Sequence, residues 1–225
     1  MKDLNKKAFG GLFFLFVVLA LSLFVSAWTY YYWEAWIFLA VFFVSVLAIT
    51  LYLMKKDSQL LERRVKGGPA AEKEMIQQVI QSIAGIAFIA IFVLSALDHR
   101  FAWSTVSPYV AVAGDALVAV GLFMVFLVFR ENTFTSATIE IAADQKVIST
   151  GPYALVRHPM YAGAFVMLFG VPIALGSWWG LVMVIPVMFV IIVRLLVEER
   201  FLTKNLSGYA EYQSKVKYRL IPLIW

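Results

Sequence analysis

Six long apolar segments constrain the fold of this chain more than any other feature. Each is close to the ~20 residues that an α-helix needs to cross a bilayer. The segments are residues 8–28, 33–54, 79–97, 109–129, 159–175 and 178–197. Because the hydrocarbon core contains no water to satisfy backbone polar groups, apolar segments of this length form helices there. The pattern predicts an all-α fold, a polytopic membrane protein with about six transmembrane helices.

The composition supports this class and excludes several others. Of the 225 residues, 62% are hydrophobic, which is well above the share found in soluble domains. The chain has no cysteine, which excludes disulfides, thiolate metal sites and cysteine nucleophiles, and we expect no metal centre. A net charge of +5 is compatible with nucleic-acid binding, but the basic residues are spread over loops between apolar segments. We therefore expect no nucleic-acid partner.

The basic residues are distributed unequally between the two sides of the membrane. With six spans, 18 of the 19 Lys and Arg residues fall on the side that holds both termini, and Arg100 falls on the other side. Positively charged residues favour the cytoplasmic side. We therefore expect an integral protein of an inner or cell membrane with cytoplasmic N- and C-termini. The sequence does not predict the oligomeric state.

The chain is predicted to form a single membrane domain over residues 1–225. Residues 1–130 would be a membrane scaffold of four spans, and residues 131–225 a cofactor-binding catalytic region. Only two residues separate the last two spans, which predicts that these spans form a tight helical hairpin. Alternating charges and aromatic residues over residues 198–217 then predict a cytoplasmic C-terminal amphipathic helix.

Several polar residues lie inside or beside the apolar segments. Asp115 lies in the fourth segment, where a charge marks a partner or a wet cavity; we interpret it instead as part of a helix start near the end of the span. Arg194 precedes Glu198 by four residues, so the two either pair on one helix face or Arg194 faces a cavity. Gln77 and Gln81 begin the third segment, and they either line a cavity or solvate the end of a helix.

The segment over residues 147–163 is polar and rich in turn formers, although it lies between two apolar spans. Gly151 begins a turn signal, and Pro159 is placed where a helix accepts proline in its first turn. Arg157 and His158 therefore stand at a helix entrance, where free backbone N–H groups favour an anion such as a carboxylate or phosphate. The alternative is that both side chains extend from a membrane helix to the interfacial water.

The pattern Gly-x-Tyr-x-x-x-Arg-His-Pro-x-Tyr-x-Gly occupies residues 151–163. It resembles the signature of the isoprenylcysteine carboxyl methyltransferase and phospholipid methyltransferase superfamily of integral membrane enzymes. The resemblance extends over residues 134–225. It continues in Arg194-x-x-x-Glu198-Glu199-x-x-Leu202, in Gly208-Tyr209-x-x-Tyr212 and in Arg219-x-Ile221-Pro222.

The resemblance implies a methyltransferase that uses S-adenosylmethionine as its cofactor. The implied cofactor-binding side chains are Tyr153, His158, Pro159, Met160, Tyr161 and Glu198, and the backbone of Gln145, Lys146, Val147 and Ile148 would hold the adenosine. Arg194 would be the catalytic and substrate-binding residue, facing a lipophilic acceptor that enters from the bilayer. No soluble-type Gly-x-Gly-x-x-Gly fingerprint occurs in the chain.

The chain departs from the eukaryotic carboxyl methyltransferases at two places. Thr135 and Ser136 stand where those enzymes often have Asn-His, and Met160 stands where they have Ser. Arg194 favours a carboxylate acceptor, because its planar fork matches two carboxylate oxygens. The alternatives are a phospholipid amine as the acceptor, an NADPH-dependent membrane reductase of the sterol type, or a transporter or sensor without catalytic activity.

Overall fold

The computed structural model describes residues 2–72, 74–139, 141–142 and 144–225. Over these residues the chain is helical and has no β-strand, so the predicted all-α polytopic class is confirmed. The helices are α1 (Lys2–Ala27), α2 (Trp33–Lys56), α3 (Ser58–Val65), α4 (Met75–Phe101), α5 (Pro108–Glu131), α6 (Pro159–Ala174), α7 (Gly180–Asn205) and α8 (Tyr209–Lys215). Single 3₁₀ turns form at Pro69–Ala71 and Gly151–Ala154.

Among the described residues, five helices are long and apolar enough to cross a bilayer, namely α1, α2, α4, α5 and α7. The helix formed by the fifth predicted segment, α6, has 16 residues and rises only about 24 Å at ~1.5 Å per residue. It still runs from one end of the bundle to the other. Its N-terminus contacts the C-terminal segment, while the carbonyl of Leu175, just past its C-terminus, accepts a 2.6 Å hydrogen bond from Tyr32 at the start of α2.

Local sequence explains why α6 is short and where α5 begins. Gly176 takes a φ of 71°, and its N–H donates to the carbonyl of Ile173 at 3.0 Å, which ends α6 within one residue of the predicted segment. At α5, the hydroxyl of Ser107 accepts a hydrogen bond from a backbone N–H, and Pro108 occupies the first helical position. Asp115 therefore lies inside α5 and not at a helix start, and its interpretation as part of a helix start was wrong.

Four glycines bring α5 and α6 into backbone contact. They form two pairs spaced seven residues apart, Gly114 and Gly121 on α5 and Gly163 and Gly170 on α6. A Cβ atom added to Gly121 would lie 2.5 Å from the backbone nitrogen of Met167. Although a short connection joins α6 to α7 as predicted, α6 packs most extensively along α5, and α7 packs along α4. Small residues allow this close approach inside a membrane.

A polar cluster locks the end of the bundle that lies away from residues 147–163. The Asp98 carboxylate at the end of α4 accepts hydrogen bonds from Ser104 N at 2.7 Å and from Ser177 Oγ at 2.6 Å. The same Ser177 oxygen accepts from Gly180 N at the start of α7. His99 stacks on the Tyr32 ring with 3.9 Å between the ring centroids. These contacts join α4, α7 and the loop after α6 at the end of the bundle opposite residues 147–163.

The C-terminal segment folds back onto the polar motif. Glycine at position 208, with a φ of 82°, separates α7 from α8, so the predicted amphipathic segment over residues 198–217 is split into the end of α7 and a short α8. Beyond α8, the carbonyls of Tyr218 and Arg219 accept 2.9 Å hydrogen bonds from Arg157 N and His158 N. The tail thus holds the backbone that leads into α6.

Candidate functional site

A cavity of about 380 Å³ lies where the starts of α4 and α6 meet the ends of α5 and α7 and the C-terminal segment. Its size falls near the lower end of the ~300–1,000 Å³ typical of small-molecule sites. All eleven residues predicted for the site line this one cavity. They are Gln145, Lys146, Val147, Ile148, Tyr153, His158, Pro159, Met160, Tyr161, Arg194 and Glu198.

The motif lines the cavity with a glycine turn and the helix start that follows it. Gly151 has a φ of 56°, a left-handed conformation that a side chain would disfavour. The 3₁₀ turn Gly151–Ala154 then places Tyr153 on the cavity wall, and Pro159 opens α6 as predicted. His158 is the residue that precedes α6, so its side chain and the free N–H groups of the first turn face the same region.

Arg157 serves a different role from the one that the sequence predicts. Its Nε lies 2.6 Å from Glu199 Oε1, and its Nη1 donates to the carbonyl of Val216 at 3.0 Å. The other carboxylate oxygen, Glu199 Oε2, accepts a hydrogen bond from Arg219 Nε at 2.7 Å. Because both Arg157 and Glu199 are buried, this ion pair anchors the tail to α7. The expectation that Arg157 is free to bind an anion was therefore wrong.

His158 remains available where Arg157 is not. Its side chain is buried, and its Nε2 lies 3.7 Å from Glu199 Oε1, which is longer than a hydrogen bond. Among the described residues, no group forms a hydrogen bond with this nitrogen. A buried ring nitrogen without a partner on the wall of a cavity is a candidate for contacting a ligand.

Glu198 and Glu199 are adjacent on α7 but have separate partners. Glu198 Oε2 accepts a 2.5 Å hydrogen bond from the Tyr161 hydroxyl in the first turn of α6. Among the described residues, Glu198 forms no ion pair, whereas Glu199 is held by two arginines. Glu198 thus presents to the cavity a carboxylate that no described cation contacts directly, positioned by the Tyr161 hydroxyl.

Arg194 pairs with a residue from the other half of the chain. Its Nη2 lies 2.7 Å from Glu72 Oε1 and 3.2 Å from the Ala137 carbonyl. The same Glu72 oxygen accepts a 2.6 Å hydrogen bond from Gln81 Nε2, and Gln77 Oε1 lies 3.4 Å from Arg194 Nη1. The possible pairing of Arg194 with Glu198 is not formed. Gln77 and Gln81 belong to the cavity network, so the alternative of mere helix-end solvation was wrong.

Three tyrosines complete the wall opposite Arg194. The Tyr153 hydroxyl accepts a 2.9 Å hydrogen bond from Asn132, and the Tyr212 hydroxyl donates to the Tyr153 carbonyl at 2.8 Å. Burial raises the pKa of Tyr153 and the pKa of Tyr209 above the ordinary value of a phenol, so both stay neutral. The buried Tyr209 hydroxyl has no hydrogen-bond partner among the described residues, which leaves a polar atom for a ligand.

The first half of the chain contributes residues to the site that the sequence did not indicate. Arg64, Gly68 and Gln81 line the cavity, and Glu72 holds Arg194. Of these, Gln81 alone carried a signal, because its spacing from Gln77 places both amides near one helix face. Arg64 and Glu72 lie in the connection between α2 and α4, which carries charges of both signs. Its sequence has no periodicity that distinguishes a side chain facing the cavity from one facing water.

Comparison with known proteins agrees with the resemblance seen in the motif. The family model of phospholipid methyltransferases matches residues 109–208, which include α5, the motif, α6 and α7. The match begins earlier than residue 134 and ends before α8. It confirms the resemblance to the integral membrane methyltransferase superfamily and supports a membrane methyltransferase. No curated protein sequence matches the chain significantly.

Proposed function

We propose that this protein transfers a methyl group from S-adenosylmethionine to a lipophilic acceptor, with a carboxylate as the accepting group. The observation that carries the proposal is the pairing pattern inside the cavity. Among the described residues, Glu198 forms no ion pair and His158 Nε2 forms no hydrogen bond, and both lie on the wall of one small-molecule-sized cavity in a membrane bundle.

The cavity suits the chemistry of this cofactor. S-adenosylmethionine carries an ammonium and a sulfonium, for which the Glu198 carboxylate is the available anion. It also carries a carboxylate, for which His158 and the first turn of α6 offer donors. The neutral Tyr209 hydroxyl can donate a hydrogen bond to the carboxylate of the cofactor or accept one from its ammonium. We assign the adenosine to the backbone around Val147 and Ile148, next to the Tyr153 ring.

The reaction depends more on aligning the methyl group with the acceptor than on activating either of them. Bound S-adenosylmethionine supplies an electrophilic methyl group, and direct displacement from a sulfonium needs neither a metal nor a covalent enzyme intermediate. The protein positions the reactants and excludes water. Tyr161 holds the Glu198 carboxylate in one orientation, while Met160 and Pro159 provide an apolar wall beside it. A desolvated anion in such a site is a better nucleophile than one in water.

Arg194 is the residue that we assign to the acceptor. A carboxylate is already nucleophilic as an anion, whereas an amine acceptor needs a base to remove a proton first. Arg194 uses Nη2 for Glu72 and retains further N–H donors for a ligand. The cavity wall also includes Phe134, Leu202 and Leu206, which suit an apolar chain that enters from the bilayer.

One observation favours a phospholipid amine as the second candidate acceptor. Glu72 neutralises much of the positive charge of Arg194, so the guanidinium repels an amine less than an unpaired arginine would. In that arrangement Arg194 would contact the phosphate of the headgroup.

An assay of methyl transfer with wild-type protein and Arg194→Lys decides between the carboxylate and the amine acceptor. We expect methylation of a fatty acid or a prenylated cysteine analogue, and a loss of turnover in the variant at unchanged S-adenosylhomocysteine affinity. Methylation of phosphatidylethanolamine alone, insensitive to the substitution, would overturn the carboxylate assignment.

Calorimetry on purified protein tests the class of enzyme directly. We expect S-adenosylhomocysteine, the product form of the cofactor, to bind and NADPH not to bind. Binding of NADPH alone would assign the site to a membrane reductase. Binding of neither would favour a transporter or sensor and remove the catalytic proposal.

We also propose that the cavity opens to the cytoplasm. The start of α1 packs against α3, as Ala8 lies among Leu60 and Leu61, so the N-terminus is at the same end of the bundle as the cavity. The C-terminal segment is bonded to the motif at that end too. Because the basic residues concentrate there, the positive-inside rule supports a cytoplasmic orientation, where cytosolic cofactor has access.

A further inference from the structure

Arg64 is a cavity residue for which neither the motif nor the proposed cofactor chemistry gives a role. It lies near the end of α3, the short helix that follows α2. Its Nη1 donates to the Ser136 carbonyl at 3.1 Å, and its guanidinium lies over the Phe129 ring, 5.1 Å from the centroid. The side chain also lines the cavity, close to Met160.

The four basic residues that line the cavity differ in how their charge is balanced. Arg157 is paired with Glu199, and Arg194 with Glu72. Lys146 is exposed, so water solvates its ammonium. Among the described residues, no carboxylate lies within 4.0 Å of the guanidinium of Arg64.

The surroundings of Arg64 disfavour its charge. Burial lowers the pKa of Arg64, and the guanidinium of Arg194 lowers it further, against an opposing effect of Tyr161. Arg64 is partly buried, and a charge removed from water without an opposite charge is destabilising unless a ligand completes the pair. The contact with the Phe129 ring offsets only part of this, because a cation–π contact is weaker than an ion pair. An anion bound in the cavity would therefore supply the opposite charge that the described residues do not provide.

A purely structural role explains Arg64 less well. The neighbouring Arg63 already fastens α3 to the same stretch of chain, because its Nη1 donates to the Thr133 carbonyl at 2.6 Å. A second carbonyl contact by Arg64 at 3.1 Å needs one N–H, and a neutral amide would provide it without burying a charge. What a guanidinium adds is a planar fork suited to phosphate or carboxylate.

The position of Arg64 indicates which ligand it meets. Arg64 and Arg194 bond to the successive carbonyls of Ser136 and Ala137, so both stand at one end of the cavity, the end assigned above to the acceptor. The residues assigned to the cofactor carboxylate are at the start of α6, and Arg64 Nη1 lies 4.0 Å from Met160 Sδ in that first turn, so the acceptor end and the cofactor end of the cavity adjoin at Arg64. Because α3 begins two residues after the end of a membrane span, Arg64 also lies near the depth of lipid headgroups.

We propose that Arg64 binds the anionic group of the lipophilic acceptor, a phosphate or a carboxylate, at the Ser136–Ala137 end of the cavity. The inference rests on the proposed function, because it assumes an acceptor in this place. It makes Arg64 the main anion-binding residue, while Arg194, already balanced by Glu72, positions the bound group.

Calorimetry with two anionic probes and one neutral probe tests the proposal in the detergent-solubilised full-length protein. The probes are dihexanoyl phosphatidate, decanoate and dihexanoylglycerol, each titrated with S-adenosylhomocysteine present. We expect Arg64→Gln to weaken at least one anionic probe by roughly 10- to 150-fold, the range for a lost charge-assisted hydrogen bond. Arg64→Lys should retain part of the affinity. The neutral probe and S-adenosylhomocysteine should change less than about twofold, since only a charge-assisted contact is removed.

Arg63→Gln is the matched control, because it removes an adjacent arginine that also bonds to a backbone carbonyl but does not line the cavity. It should bind all probes as the wild type does. The proposal is overturned if wild type binds neither anionic probe, if Arg64→Gln binds them unchanged, or if Arg63→Gln loses the same affinity. An equal loss of S-adenosylhomocysteine would assign Arg64 to the cofactor instead. Failure of wild type to bind S-adenosylhomocysteine would refute the proposed function, while the anionic probes, titrated alone, still decide the role of Arg64.

Discussion

Replacing Gly121 with alanine tests the packing that positions the motif helix. The added Cβ would lie 2.5 Å from Met167 N and 2.6 Å from the Gly163 carbonyl oxygen, both backbone atoms of α6. Ordinary contact begins at 3.4 Å, so the two helices must separate by on the order of 1 Å. No flexible side chain is available to move away, because the clash is with the backbone of the neighbouring helix.

The magnitude follows from two opposing effects. Alanine is a better helix former than glycine by roughly 0.5–1 kcal/mol. Overpacking of a close contact costs about 1–3 kcal/mol, and a clash with backbone belongs at the upper end. We therefore expect a net loss of about 1–2 kcal/mol, or about 2–8 °C in apparent melting temperature for a chain of this size. Gly11→Ala is the control, since nothing lies within 4 Å of its Cβ.

Thermal unfolding in one detergent, followed by tryptophan fluorescence for both variants, measures the effect. Gly121→Ala should melt below wild type, and Gly11→Ala at or above it. Because α6 carries His158 and Tyr161, we expect weaker S-adenosylhomocysteine binding in Gly121→Ala as well. Equal melting temperatures for the two variants would refute the close α5–α6 packing, and with it the explanation of how the motif is held.

Three further predictions separate the roles of the neighbouring residues Glu198 and Glu199 and test the orientation of the chain in the membrane. Glu198→Gln should weaken S-adenosylhomocysteine by roughly 10- to 150-fold in a protein that melts normally, because it removes a charge from the proposed cofactor site; unchanged affinity would remove Glu198 from that site. Glu199→Gln should instead destabilise the fold by about 3–5 kcal/mol, because it leaves Arg157 and Arg219 without their carboxylate; a normal melting temperature would contradict this. Reporter fusions at each terminus should report a cytoplasmic location, and an external C-terminus would overturn the proposed topology.

The membrane class and the motif could be read from the sequence because their signals are local. A helix in hydrocarbon satisfies its own backbone, so a run of apolar residues suffices to predict it. The turn at Gly151 and the helix start at Pro159 likewise depend on the backbone preferences of those residues. The extent of α6 was predicted to within one residue, because Gly176 ends both the apolar run and the helix.

The sequence identified several residues of the site, but it did not identify the residues with which they pair. For Arg194 the sequence left open a pairing with Glu198 on the same helix or a position facing a cavity; it lines the cavity, and its partner is Glu72 from the connection between α2 and α4. Arg157 was expected to be free, yet Glu199 and the C-terminal carbonyls hold it. Each pairing joins segments that are distant in the chain, and no spacing rule connects them.

The sequence by itself determined that this chain is a bundle of membrane helices with a polar motif at one end. Tertiary structure alone decided which charges in the cavity remain unbalanced, and therefore which can meet a ligand. The physical reason is the range of the forces involved. Apolar burial and backbone hydrogen bonding act on each segment separately, whereas ion pairing depends on distances of a few ångströms between side chains. Those distances at Glu198, His158 and Arg64 are set when α4, α6, α7 and the tail pack together.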